Sequence, residues 1–275
     1  MKKANIRESQ LRMLDILIEI DRVCKKHNIK YWLESGTLLG ALRHGGFIPW
    51  DDDLDVGMLR EDYIKFLEIV EDELGEGYAC QTPKTDKLTQ NAFTKIRDLN
   101  SEIKSVNNYG EFRGLFVDVF PYDSYTPRNE KMQKKNTFII LTKWFSDLTF
   151  KKPFIKNISK NTIIALCKVN KIVYKFISYT KVIEKMYYQG FEVDREETGK
   201  IMYGIEVFDK KVLDYNDVMP LKTGKFEGIE FPIPNNSERV LEVFYGNWNE
   251  LPPEDKRIPS HSDDIYIEEK KAVSN

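Results

Sequence analysis

Residues 36–58 read Gly-Thr-Leu-Leu-Gly-Ala-Leu-Arg-His-Gly-Gly-Phe-Ile-Pro-Trp-Asp-Asp-Asp-Leu-Asp-Val-Gly-Met, and the order of residue types here decides the fold class. A small-residue turn opens a short apolar helix, Gly45-Gly46 closes it, and Pro49 breaks the segment after it. Asp53 and Asp55 then alternate with Leu54 and Val56. A strand over 52–58 turns both carboxylates to one face and both apolar side chains to the other. Two carboxylates on one strand face suit a hard divalent cation, and a helix start just before them suits a phosphate.

Working outward, Tyr31-Trp32-Leu33 reads as a short strand ending at Ser35-Gly36, with Thr37 capping a helix through Leu38–Arg43. Leu11, Leu14, Leu17, Ile18 and Cys24 have the spacing of an amphipathic helix, and Tyr63, Phe66, Leu67 and Val70 place another over 62–74. Further strands fall at 78–81, 93–98 and 115–120, the last stopped by Pro121, which cannot donate to a ladder. From Glu130 to about Gln189 the pattern becomes lysine-studded and helical, divided at Pro153. Lys225–Ile233 with Gly228 at its centre reads as a hairpin, and Ser237 caps a helix over 238–245 that ends at Gly246.

Asp118 sits alone inside Phe116-Val117-Asp118-Val119-Phe120, where an unpaired buried carboxylate would cost several kcal/mol. It requires a cation or a donor: a metal shared with Asp53 and Asp55, or an arginine such as Arg97. Asp51 and Asp52 are less tied to the pattern and suit a supporting role beside Arg43 or His44. Ser35-Gly36-Thr37 offers backbone N–H groups, a hydroxyl and a close approach for phosphate. Arg43, Lys95 and Arg97 are candidate phosphate clamps, Lys95 and Arg97 sharing one strand face. His44 and His261 are candidate acid–base groups, with no nucleophile paired to either.

Composition narrows the classes. The 275 residues carry 42 Lys+Arg against 44 Asp+Glu, a formal charge of −2, so no global basic field points to nucleic acid. Roughly 14 basic and 3 acidic residues lie between Arg128 and Lys185, a local asymmetry that suits an anionic surface. Its aromatics are Phe138, Trp144, Phe145, Phe150, Phe154, Tyr174, Phe176 and Tyr179. They suit either a lid packed on the core or peripheral contact with lipid head groups. Cys24, Cys80 and Cys167 form no metal or disulfide pattern, which suits a reducing compartment. The first ten residues lack the apolar run of a signal peptide, and no segment is long and apolar enough to span a bilayer, so a cytoplasmic protein is expected.

The run Gly36 through Asp55 resembles the signature of the LicD family, which includes fukutin and fukutin-related protein. The likeness continues at Phe93–Asp98, at Val117–Pro121, and at Tyr245-Gly246-Asn247-Trp248 through Pro252-Pro253 and Arg257. It implies an α+β, nucleotidyltransferase-like mixed sheet flanked by helices, with a basic helical subdomain. On that reading 1–127 is the catalytic core, 128–189 a basic helical insertion, and 190–275 completes the catalytic domain. Asp53, Asp55 and Asp118 match the family's metal positions, for Mg2+ or Mn2+, while Gly36, Thr37, Arg43, Lys95 and Arg97 fall to the donor. The resemblance implies transfer of phosphocholine from CDP-choline to a hydroxyl of a glycan or lipid-linked glycan precursor, such as teichoic acid, lipopolysaccharide or capsule, with release of CMP. Ribitol or glycerol phosphate from another CDP-alcohol is the nearest alternative. A nucleotidylyltransferase and a non-catalytic glycan- or membrane-binding protein stand further off. The three scattered cysteines offer no counterpart to the zinc site of the fukutin-related branch.

Overall fold

The computed structural model describes residues 1–104, 110, 112–147, 178–259 and 264–268. Pro153, Cys167 and His261 lie outside them, as do Phe150, Phe154, Tyr174, Phe176 and the side chains of Trp144 and Phe145. The protein is α+β. Strand β1 (Lys2–Lys3) leads into α1 (Ile6–Lys26), β2 (Trp32–Leu33), α2 (Ser35–His44), β3 (Asp55–Leu59) and α3 (Arg60–Glu73). There follow β4 (Tyr78–Gln81), β5 (Thr94–Asp98), β6 (Ser101–Lys104), β7 (Phe116–Ser124), α4 (Pro127–Asp147) and α5 (Tyr179–Gln189). The chain ends through β8 (Lys200–Tyr203), β9 (Val212–Asp214), α6 (Tyr215–Val218), β10 (Lys222–Phe226), β11 (Ile229–Ile233), α7 (Ser237–Tyr245) and β12 (Asp264–Ile267).

The central sheet has seven strands, ordered β2-β3-β7-β5-β4, with β8 and β9 joined to the far end of β7. Strands β3 and β7 are parallel, and their neighbours run antiparallel. The register sorts the side chains onto two faces. Leu33, Val56, Met58, Ile96, Val117 and Val119 share one face and are fully buried. Helices α1 and α3 cover that face. Helix α1 buries Met13, Ile16, Ile20 and Val23 together with the expected Leu14, Leu17 and Cys24, whereas Leu11 and Ile18, which the spacing placed on the same stripe, are exposed. A capping box starts it: Asn5 accepts the Glu8 N–H, and the Glu8 carboxylate accepts the Asn5 N–H. The opposite face carries Asp55, Gly57, Asp118, Phe120, Tyr122, Lys95 and Arg97.

Three expectations about the strands and helices at the centre change. The strand starts at Asp55, not Asp52, so Asp53 lies before the ladder and does not share a strand face with Asp55. The backbone there is held from outside the sheet, since the buried Gln10 of α1 donates to Ile48 O at 3.2 Å and Asp51 O at 2.9 Å. Second, Thr37 does not cap α2. The helix begins at Ser35, and the Thr37 hydroxyl accepts the Asp55 N–H at 2.9 Å. Third, β7 runs on through Pro121. On its antiparallel side β5 pairs up to Val119 and β8 takes over at Tyr122, so the proline's missing N–H falls in the gap between two partners.

The hairpin β10–β11 turns at Glu227-Gly228, with φ of 53° and 79°, the two positive values a type I′ turn demands. Helix α7 starts at Ser237, whose hydroxyl donates to Pro234 O at 2.8 Å instead of capping. Helix α4 is fastened by amides. Asn129 donates to Ser124 O and Asp194 O, Gln133 to Tyr203 O and Asp209 O, and Asn136 to Ile205 O, all at 2.7–3.0 Å. Those bonds tie α4 to the end of β8 and leave Arg128, Lys131, Lys134, Lys135 and Phe138 toward solvent.

Candidate active site

The parallel register of β3 and β7 sets Asp55 directly beside Asp118, and the antiparallel register of β7 and β5 sets Asp118 beside Lys95. Two carboxylates and an ammonium thus form one row across three strands. The Lys95 Nζ donates to Asp118 Oδ1 in a close ion pair, both side chains nearly buried. The cation paired with Asp118 is therefore Lys95, not Arg97. The ammonium also lies 3.7 Å from the centroid of the Phe116 ring. Burial pulls the Lys95 pKa below its ordinary value against the pull of Asp118. Burial likewise pushes the Asp55 carboxyl well above the carboxylate range, with Asp53 and Asp118 adding to it.

Asp51, Asp52 and Asp53 cluster just before β3, each offering an oxygen within 4.8 Å of the others. Gly36 permits the approach, because a Cβ there would sit 2.9 Å from Asp51 Oδ2. Thr37 is buried against the Asp55 backbone, so the first turn of α2, Asp51 and Asp55 meet at one place. Tyr245 borders it, still 45% exposed, and partial desolvation first, then Asp55 and Asp51, raise its hydroxyl pKa above the usual value. Clustered carboxylates are all-oxygen donors, and their mutual repulsion is what a hard divalent cation relieves. The residues present fit such an ion.

Of the predicted residues, Asp53, Asp55, Asp118, Lys95, Gly36 and Thr37 come together, while the two arginines have other work. Arg97 donates from Nε to Gln81 Oε1 at 2.8 Å and from Nη1 to Gly114 O at 2.7 Å, behind Lys95. Arg43 donates to Trp248 O at 2.9 Å and Glu250 O at 3.2 Å, anchoring the loop after α7. His44 is exposed at the rim, edge-on to Trp50. Sequence reading missed Glu34, which is 1 % exposed and receives the hydroxyls of Tyr122 and Tyr203 on Oε1. Its only local signal is a carboxylate placed between an aromatic strand and a glycine-bearing helix.

A family model described as LicD/FKTN/FKRP, nucleotidyltransferase domain, matches residues 28–167, which include the row and the aspartate turn. The lipopolysaccharide cholinephosphotransferase LicD of Haemophilus influenzae is 31% identical over 274 residues, covering 97% of this chain and 100% of that protein. This chain belongs to the LicD family. Human ribitol 5-phosphate transferase FKRP is 33% identical over 112 residues, 41% of this chain and 20% of its own length. Mouse ribitol-5-phosphate transferase FKTN is 27% identical over 92 residues, 34% of this chain and 20% of its own. Like these relatives, this LicD-family protein is an enzyme, a phosphotransferase. Among the described residues, no helix is long and apolar enough to cross a membrane.

Proposed function

We propose that the protein transfers phosphocholine from CDP-choline to a hydroxyl of a cell-surface glycan precursor and releases CMP. The acceptor oxygen forms a bond to the distal phosphorus of the donor, the bond from that phosphorus to the bridging oxygen breaks, and CMP leaves with that bond's electron pair. The observation that carries this reading is the end-to-end likeness to a cholinephosphotransferase, combined with the Asp55–Asp118–Lys95 row.

Magnesium, or manganese in its place, would be held by Asp53, Asp55 and Asp118 and would supply charge neutralisation on the diphosphate. The remaining roles belong to the chain. Gly36 and Thr37 open the first turn of α2 to a phosphate, and Lys95 orients Asp118 toward the acceptor hydroxyl, whose proton the carboxylate takes. Arg43 acts on the donor through the 248–250 loop, and Arg97 by supporting the strand that carries Lys95. We place the enzyme in the cytoplasm. The exposed Lys131, Lys135 and Phe138 of α4 support peripheral contact with an anionic membrane through 128–189.

A ribitol or glycerol phosphate donor is the second reading, favoured by the partial likeness to FKRP and FKTN. CDP-choline, CDP-ribitol, CDP-glycerol and CDP-ethanolamine, each with magnesium, separate the two by thermal stabilisation. CDP-choline is expected to raise the melting temperature most. Stabilisation by CDP-ribitol alone would move the function to the second reading, and product carrying a nucleotidyl group by mass spectrometry would refute both.

A further inference from the structure

Glu34 and its partners form a second polar group behind the carboxylate row. The Tyr203 hydroxyl donates to Glu34 Oε1 at 2.9 Å and lies 3.1 Å from the Ser35 hydroxyl. Tyr122 donates to the same carboxylate oxygen. Gly57 passes against this carboxylate, where a Cβ would fall 2.3 Å from Oε2. The next residue, Ser35, has φ 47°, in the left-handed region that a side chain disfavours. At this one residue the chain turns from extended Glu34 into α2.

Ser35 therefore controls where the turn lands. Glu34 N–H donates to Asp55 O at 3.1 Å, Leu38 N–H donates to Glu34 O at 3.0 Å, and Gly36 and Thr37 meet Asp51 and Asp55. A non-glycine residue in this conformation persists only where its surroundings impose it. Here the surroundings with a direct grip are the Tyr203 hydroxyl on the Ser35 side chain and the Glu34 backbone in the sheet. The Tyr203 ring has its own packing, 4.7 Å from Tyr122, 5.6 Å from Phe120 and 6.0 Å from Phe244 between centroids, so its hydroxyl is separable from its bulk.

We propose that Tyr203 is a positioning residue for phosphoryl transfer: through Glu34 and Ser35 its hydroxyl holds the left-handed turn that sets Gly36 against Asp51 and Thr37 against Asp55. The proposal rests on the donor site assigned above. Y203F keeps the ring and removes the tether, while S35G relaxes the turn so that it needs no tether.

The test has two arms. In steady-state kinetics with CDP-choline and saturating magnesium, Y203F is expected to raise KM about tenfold with kcat within about twofold. In the S35G background the same substitution changes KM by less than about twofold. In hydrogen exchange, which needs no donor, Y203F is expected to speed exchange in the segment 34–40 while the rest of the sheet keeps its rates. An equal KM penalty in both backgrounds, or exchange accelerated uniformly through the sheet, overturns the proposal and leaves Tyr203 a core residue. A wild-type protein that does not turn over CDP-choline overturns the donor reading alone, and the exchange arm then decides the tether.

Discussion

Strand β7 carries two charge clusters, one on each face, the first buried and the second half-buried, and they are built in opposite ways. On the face with Val117 and Val119, Asp123 meets Arg60 through two bonds of 2.6 and 3.1 Å, and Glu206 meets the same guanidinium through two of 2.8 Å. The Ile205 N–H adds a further donor to Asp123 at 3.0 Å. All three side chains are at most 4 % exposed. On the other face Asp118 lies beside Asp55 with Lys95 as its cation, Asp51, Asp52 and Asp53 cluster just before the strand, and burial first, then the neighbouring acids, drive the Asp55 carboxyl upward. The first cluster closes on itself and fastens α3 to the 204–206 loop. The second keeps an excess of carboxylates in one place, which a fold tolerates where a ligand completes it.

That contrast can be broken by substitution. The largest effect is expected from Asp118→Asn, which should lower turnover about a thousandfold or more by removing charge made for the reaction, well beyond the stability lost by leaving Lys95 without its partner. Turnover within tenfold of wild type would move the centre elsewhere. Next is Arg60→Met, which leaves Asp123 and Glu206 uncompensated and should cost about 3–5 kcal/mol in urea unfolding. Asp55→Asn, by contrast, relieves repulsion and should leave the ligand-free protein as stable as wild type or more so. Equal losses from both would erase the distinction between the clusters.

Ligand linkage sharpens it further. Magnesium with CDP-choline at about 100 times Kd should add about 2.7 kcal/mol to the wild-type stability and nothing to Asp118→Asn. The smallest effect is expected at Arg43→Ala, which frees the 248–250 loop and should raise the donor KM about threefold to tenfold with kcat nearly kept. A collapse of kcat instead would place the Arg43 guanidinium on the reacting phosphate.

The difference between the clusters also marks how far the sequence can be read. Asp55 is legible from the period-two alternation with Leu54 and Val56, Asp118 as a lone acid inside an apolar run, and Lys95 only as a cation sharing a strand face with Arg97. That Lys95, not Arg97, takes Asp118 depends on the β5–β7 register, which no local pattern encodes. The strand start is misplaced by pattern alone because Asp51–Asp53 mimic the polar half of an alternation, while Gln10, some forty residues earlier, holds that backbone instead of a ladder. Arg60, Asp123 and Glu206 lie on three separate elements, and Tyr203 is 169 positions from Glu34. Only the closed sheet makes them partners. The chain's course through Pro121 depends in the same way on where β5 ends and β8 begins.

The most direct test of the carboxylate row is magnesium-dependent release of CMP from CDP-choline, measured with a glycan acceptor for wild type and Asp55→Asn side by side. Release by the wild type that stops on chelation, with at least about a thousandfold less from the folded variant, is the expected result. Comparable release by Asp55→Asn, or release indifferent to chelation, would contradict it.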